Sequence, residues 1–233
     1  MITIILGGFL GSGKTTALMQ MARYLTSREA PDNNGAMTGD ATAAPSRESA
    51  YLVRARTLNG QYTPQSAPPR VIILENEIGE VGVDDKYLRS GGFSVTNLFS
   101  GCACCTVSGD LTAAAREIRD EVDPEFLIIE TTGVAYPINI RENLARALGV
   151  ESRIVILTDA ARWKRLLVPL EALLAGQIVG SDAVLINKCD LKDDEALREI
   201  EADILRLEPD AKIFRVSALS EIPGGVWNAV TGV

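Results

Sequence analysis

The sequence predicts an α/β fold, a mainly parallel sheet of about six or seven strands covered by helices on both faces. Three observations carry this. Apolar, β-branched runs recur along the chain. Stretches with helical spacing separate most of them, and strands alternating with helices imply crossover connections. Hydrophobic residues make up 46% and aromatic residues only 5%, so the core is expected to be mostly aliphatic.

The strands are read at Ile2–Leu6, Val71–Leu74, Phe126–Ile129, Ile154–Leu157, Val184–Ile186 and Ile213–Val216. Such near-continuous apolar runs suit parallel strands buried on both faces. Helical spacing appears over Thr15–Leu25, Gly109–Val122, Asn139–Leu148, Asp159–Leu174 and Asp193–Leu207. Residues 28–69 break the rhythm, being rich in Ala, Ser, Thr, Gly, Asn and Pro. They read as a polar, flexible surface insertion. The sharper alternative is a partner-binding hairpin on "YLVRARTLNGQYT", turning at Asn59-Gly60.

The 233 residues carry a net charge of −8, which disfavours nucleic acid and anionic membranes as partners. No apolar run reaches the roughly 18 to 20 residues a spanning helix needs. The N-terminal "MITIILGG" has no basic segment before it and runs straight into a polar motif. It reads as a first strand rather than a signal peptide, so a cytoplasmic protein is expected. In a reducing compartment the four cysteines suggest metal binding or chemistry rather than a disulfide scaffold. With no histidine in the chain, a transition metal would have to take thiolate, carboxylate, water or backbone ligands.

"GFLGSGKT", Gly8 to Thr15, fits G-x-x-x-x-G-K-[ST] between a predicted strand and a predicted helix. Glycines allow a tight loop whose N–H groups surround phosphate oxygens, and the helix start adds its positive end. Gly8, Gly11, Ser12, Gly13, Lys14, Thr15 and Thr16 are the candidate phosphate ligands. Lys14 would reach the β- and γ-phosphates, and Thr15 would offer its hydroxyl to Mg²⁺. "FLIIETTG" ends a strand in Glu130, placed to stand near that Mg²⁺, and Gly133 lets a backbone N–H approach the γ-phosphate. "VLINKCDL" holds N-K-x-D after another strand. Asp190 can accept both N1–H and N2–H₂ of guanine, which adenine lacks, so GTP is expected over ATP. Lys188 would lay its stem along the base and Asn187 would brace the loop. Ser217 and Ala218 in "VSALS" fit a loop whose backbone touches guanine O6.

"SGCACCTVSGD" places Cys102, Cys104 and Cys105 within four positions. Thiolates suit Zn²⁺ and other borderline or soft metals. Three sulfurs do not make a closed four-thiolate site, so a carboxylate, water or partner group would complete it. A buried loop of small apolar cysteines and a dithiol redox switch remain alternatives. "ENEIGEVGVDD" after the second strand carries Glu75, Glu77, Glu80, Asp84 and Asp85. It reads either as a solvated acidic loop or as a switch loop that donates a carboxylate to the metal.

Taken in order, "GGFLGSGKTT", "NEIGEVGVD", "GCACCT", "IIETTG" and "NKCDL" resemble the CobW-like metallochaperone GTPases, relatives of the accessory GTPases of urease and hydrogenase maturation. The resemblance, which covers Met1 to about residue 220 apart from the insertion, implies a three-layer, Rossmann-like P-loop NTPase domain, slow GTP hydrolysis to GDP and phosphate, Mg²⁺, and zinc or cobalt at the cysteine motif; residues 1–233 are read as that one domain. It assigns catalytic roles to Lys14, Thr15 and Glu130, nucleotide roles also to Asn187 and Asp190, and metal roles to Cys102, Cys104 and Cys105, with Glu77 and Glu80 assisting. Many members carry a C-terminal domain and histidine-rich segments. This chain stops at Val233 without histidine, so the GTPase domain alone is expected. A recipient metalloenzyme or cofactor protein is the implied partner, and a homodimer is compatible with the reading. The alternative is a GTPase switch that assembles a cofactor enzyme, such as a corrinoid enzyme, without transferring metal.

Overall fold

The computed structural model describes residues 1–27, 70–75, 94–97 and 107–233. Seven parallel strands form one sheet in the order β3-β2-β4-β1-β5-β6-β7. They are β1 (Ile2–Gly7), β2 (Val71–Glu75), β3 (Ser94–Asn97), β4 (Phe126–Glu130), β5 (Ser152–Asp159), β6 (Ala183–Asn187) and β7 (Lys212–Arg215). The helices are α1 (Lys14–Ser27), α2 (Val107–Glu117), α3 (Pro137–Leu148), α4 (Trp163–Leu167), α5 (Glu171–Ile178), α6 (Asp194–Leu207) and α7 (Gly224–Thr231). The insertion read at 28–69 lies outside the described residues.

Alternation along the strands divides the core in two. Ile4, Leu6, Ile73, Ile128, Val155, Leu157 and Leu185 pack under α1 and α7, with Leu18, Met21, Leu25, Trp227 and Val230. Ile5, Ile72, Leu74, Ile129, Ile154, Ile156 and Ile186 face α2 to α6, with Leu111, Leu144, Trp163, Leu174 and Ile200. Each fully buried aliphatic side chain contributes roughly 1.5–3 kcal/mol, so the sheet is held equally from both sides. This explains why the central strands carry no polar alternation.

Several boundaries differ from the sequence reading. The stretch read as one helix over Asp159–Leu174 is a strand end followed by two helices. Asp159 pairs in register with Asn187, and its Oδ1 accepts from Ala161 N at 2.9 Å and Arg162 N at 3.2 Å. That turn ends the strand as aspartate commonly does. Pro169, with no N–H to give, stands in the break between α4 and α5. The helix read to Val122 passes into a π-turn over Ile118–Val122, closed by Asp123 at φ 45°. The edge strand β3 is short and polar at three of its four positions, and α7 opens with two glycines. Neither carries a strong periodic signal, yet α7 buries Trp227 and Val230, and Tyr24 Oη of α1 donates to Asn228 Oδ1 at 2.6 Å.

Candidate functional site

Because all the strands run parallel, the loops following β1, β4, β5, β6 and β7 gather at one edge. The chain leaves β1 at Gly7 and enters α1 at Lys14 through the glycine loop. Gly8 has φ +135°, and a Cβ there would stand 2.2 Å from Leu157 O. Gly13 has φ +96°, and a Cβ there would stand 2.3 Å from Asn187 Nδ2. Both positions require glycine for conformation and for space. Ser12 N donates to Phe9 O at 3.1 Å, which tightens the turn. Lys14 is buried and its Nζ donates to Gly8 O at 3.0 Å, so the cation lies folded over the loop.

A cavity of about 320 Å³ opens above the loop, lined by Leu10, Gly11, Gly13, Lys14, Thr15, Thr16 and, across from them, Glu75 and Glu130 to Gly133. Thr15 Oγ1 donates to Glu130 Oε1 at 3.2 Å. Glu75 and Glu130 are register partners at the ends of β2 and β4, and Glu75 is buried. One hydroxyl and two carboxylates at one cavity wall form an all-oxygen donor set, which suits a hard divalent cation such as Mg²⁺. The sequence reading puts Glu75 in an acidic loop. It is instead the last residue of β2. Gly133 packs on the phosphate loop so closely that a Cβ would lie 2.7 Å from Leu10 N. Its carbonyl accepts from the buried Gln177 of α5 at 2.9 Å.

Asn187 ends β6 and joins three segments. Its Nδ2 donates to Ser12 O at 2.8 Å, and its Oδ1 accepts from Lys188 N and Ala218 N, each at 2.8 Å. Lys188 takes a left-handed conformation, φ 61°, and its Nζ donates to Gly11 O at 2.9 Å and Asp159 Oδ2 at 2.7 Å. Asp190 is exposed on the short turn Cys189–Leu191, which Cys189 N ties to Val216 O at 3.2 Å. Ser217 and Ala218 follow β7 beside it. Cys189 packs against the aliphatic core.

Sequence reasoning missed Asp159 and Arg162. Asp159 is almost fully buried at the end of β5. Burial pushes its carboxyl up, but hydrogen bonds and charge from Lys188 and Arg162 outweigh that and hold it below the usual carboxylate range. Arg162 donates through Nε to Asp159 Oδ2 at 2.7 Å and through Nη2 to Leu10 O at 2.6 Å. A strand ending in Asp was a usable signal, but the following apolar residues read as helix and absorbed it.

Glu77, Glu80, Cys102, Cys104 and Cys105, the residues read as the transition-metal site, lie outside the described residues. Among the described residues no group of three or more His, Cys, Asp or Glu side chains could hold a metal ion. Within them, no helix is long and apolar enough to cross a membrane.

The fold and this edge are those of a P-loop nucleotide-binding domain. The chain belongs to the CobW/HypB/UreG family, whose nucleotide-binding domain matches residues 56–215. It is 24% identical over 263 aligned positions to the zinc-regulated GTPase metalloprotein activator 1 of Dictyostelium discoideum, covering 94% of this chain and 46% of that protein. It is 28% identical over 189 positions to the zinc chaperone CobW of Pseudomonas aeruginosa, covering 66% of this chain and 50% of that protein. The chain thus spans about half the length of these relatives. HypB from Helicobacter pylori, solved in complex with nickel, superposes with a TM-score of 0.60 at 18% identity, over 100% of this chain and 84% of that one. Zn(II)-bound YjiA GTPase from Escherichia coli gives 0.58 at 19%, over 100% and 62%. At these identities both structures speak for the fold alone.

Proposed function

We propose that this protein is a GTP-binding and GTP-hydrolysing metallochaperone that couples its nucleotide state to zinc or cobalt binding at Cys102, Cys104 and Cys105. The observation that carries the nucleotide half is the meeting of three motifs at one edge. The phosphate loop and the Thr15–Glu130 pair line one cavity, and Asn187 and Lys188 tie the N-K-x-D turn to the carbonyls of that loop. Family membership and the zinc chaperones among the relatives support the metal half.

In this reading residues 1–233 act as one GTPase domain. The loop N–H groups and Lys14 bind the phosphates, with the Lys14 ammonium leaving Gly8 O for the phosphate oxygens. Thr15 and Glu130 hold Mg²⁺, which neutralises phosphate charge when bound. Asp190 reads guanine and Lys188 covers it. Water attacks the γ-phosphorus, the bond to the bridging oxygen breaks, and GDP and phosphate leave. Glu77 and Glu80 assist the cysteine site, and a recipient metalloprotein in the cytoplasm takes the ion.

Coupling is reciprocal, so a nucleotide that tightens metal binding is itself tightened by metal by the same factor. Zinc titration of the full chain with and without a non-hydrolysable GTP analogue tests this. An affinity change of roughly 5- to 150-fold is expected, and it should vanish when all three cysteines are changed to Ser. Equal zinc affinity in both nucleotide states would overturn the coupling and favour a GTPase assembly switch that carries no metal.

A further inference from the structure

We infer that Arg162 is a positioning residue for the phosphate loop, acting through the Leu10–Gly11 peptide. The inference rests on the nucleotide half of the proposed function. It concerns a side chain that belongs to none of the recognised motifs.

Three successive carbonyls of the loop, those of Leu10, Gly11 and Ser12, each accept a side-chain hydrogen bond. The donors are Arg162 Nη2 at 2.6 Å, Lys188 Nζ at 2.9 Å and Asn187 Nδ2 at 2.8 Å. In a trans peptide the carbonyl and the following N–H point in opposite directions. Holding Leu10 O therefore sets the direction of Gly11 N–H, just as Asn187 sets that of Gly13 N–H. Leu10, Gly11 and Gly13 all line the cavity. Gly11 has φ +73° and no side chain to resist a flip of this peptide, so an external clamp is needed there.

Arg162 is itself held. Asp159 accepts its Nε at 2.7 Å and its backbone N at 3.2 Å. The next residue, Trp163, is buried, and its Nε1 donates to Asp203 Oδ2 at 2.9 Å, which anchors α4 to α6. The guanidinium is thus preorganised, and one carboxylate aligns it beside Lys188 on adjacent carbonyls. On its other side the same Leu10 meets Gly133, where even a methyl group would come within 2.7 Å of Leu10 N. Arg162 braces the loop against the strand-β4 loop that faces the γ-phosphate in the proposed function.

Arg162→Ala and Arg162→Lys, made in the full chain, test the assignment. Fluorescent GTP and GDP analogues give affinities, and phosphate release gives kcat and KM. The Ala variant is expected to lose roughly 10- to 100-fold in GTP affinity and kcat/KM, as small misplacements of a positioning group do. Millimolar guanidinium should restore much of that loss by refilling the vacated place, while the preference for GTP over ATP stays unchanged. Lys keeps the charge but not the fork that spans Asp159 and Leu10 O, so an intermediate loss is expected. Wild-type affinity and rate in a folded Ala variant would overturn the assignment, as would a loss that guanidinium does not repair. If the Ala variant does not fold, wild-type values for Lys overturn it and an intermediate loss upholds it. A wild-type chain that binds GTP without hydrolysing it removes the GTPase reading and leaves the affinities to decide Arg162. A wild-type chain that binds no nucleotide removes both.

Discussion

The side-chain amide of Asn187 and the carbonyl of Ser12 are 175 positions apart in the chain and 2.8 Å apart in space. This one bond joins the phosphate loop to the turn that would read the base, and Asn187 Oδ1 adds Ala218 N to the same knot. Asn187→Ala strands the Ser12 carbonyl and two N–H groups in a buried setting, which costs about 2–4 kcal/mol. Urea unfolding should show that loss. Asn187→Asp is the sharper variant, because a carboxylate still accepts from Lys188 N and Ala218 N but cannot donate to Ser12 O. It should keep more stability than Ala yet lose nucleotide affinity. Equal affinity in wild type and Asn187→Asp would mean that the latch does not shape the phosphate loop.

The Asp159 carboxylate links stability to acid. Its native pKa lies below the ordinary value, held there by Lys188 and Arg162 against the opposing effect of burial. The unfolded chain titrates at about 3.9. Above that pH both states are ionised and the stabilisation is fully present. As pH falls through it, the unfolded state takes up the proton first, and the contribution is gone once pH drops below the native value. Asp159→Asn should therefore be less stable than wild type at neutral pH, with the gap narrowing below about pH 4. Urea midpoints measured for both proteins from pH 7 to pH 3 check the sign. A gap that stays constant through that range would remove the ionic account.

What the sequence makes legible and what it hides have physical causes. The strands β1, β2, β4, β5 and β6 are continuous aliphatic runs because helices cover both faces, and such runs stand out. Lys14, Thr15 and Glu130 sit at fixed places after such runs, so the motif fixes their edge as well. Arg162 has no such marker. Its role depends on Asp159 ending a strand rather than starting a helix, and on α4 being anchored through Trp163 to Asp203, 40 positions away. Gln177 was hidden for the same reason. Its side-chain hydrogen bond to Gly133 O crosses between two elements, and no spacing along either one announces it.

Gly133 offers a steric test. A Cβ there would lie 2.7 Å from Leu10 N and 3.2 Å from Leu10 Cα, both backbone atoms that cannot swing aside. Gly133→Ala must push the loop after β4 away from the phosphate loop or shift the phosphate loop itself. Overpacking of this kind costs about 1–3 kcal/mol, which the sheet can absorb. Nucleotide chemistry should suffer more, with kcat/KM for GTP falling roughly 100-fold. Stopped-flow phosphate release beside a urea curve separates the two. A variant destabilised as expected but fully active would place the γ-phosphate away from Gly133.

Asp190 provides the test of base identity. Its turn is set by backbone, through Cys189 N on Val216 O and the left-handed Lys188, and its side chain is exposed. Asp190→Asn should therefore change stability by less than about 0.5 kcal/mol. Its chemistry changes completely. A carboxylate accepts from guanine N1–H and N2–H₂ together, whereas an amide opposes one of those donors with its own. Losing charge-assisted bonds of about 1.5–3 kcal/mol predicts a fall in GTP affinity of roughly 10- to 150-fold. Xanthine carries a 2-oxo group where guanine carries its amine, and the Asn amide can donate to it. XTP affinity should rise as GTP affinity falls, with ATP binding unaltered. Competition against a fluorescent guanine nucleotide measures all three. If GTP preference survives the substitution, Asp190 does not read the base, and the guanine assignment loses its selecting residue.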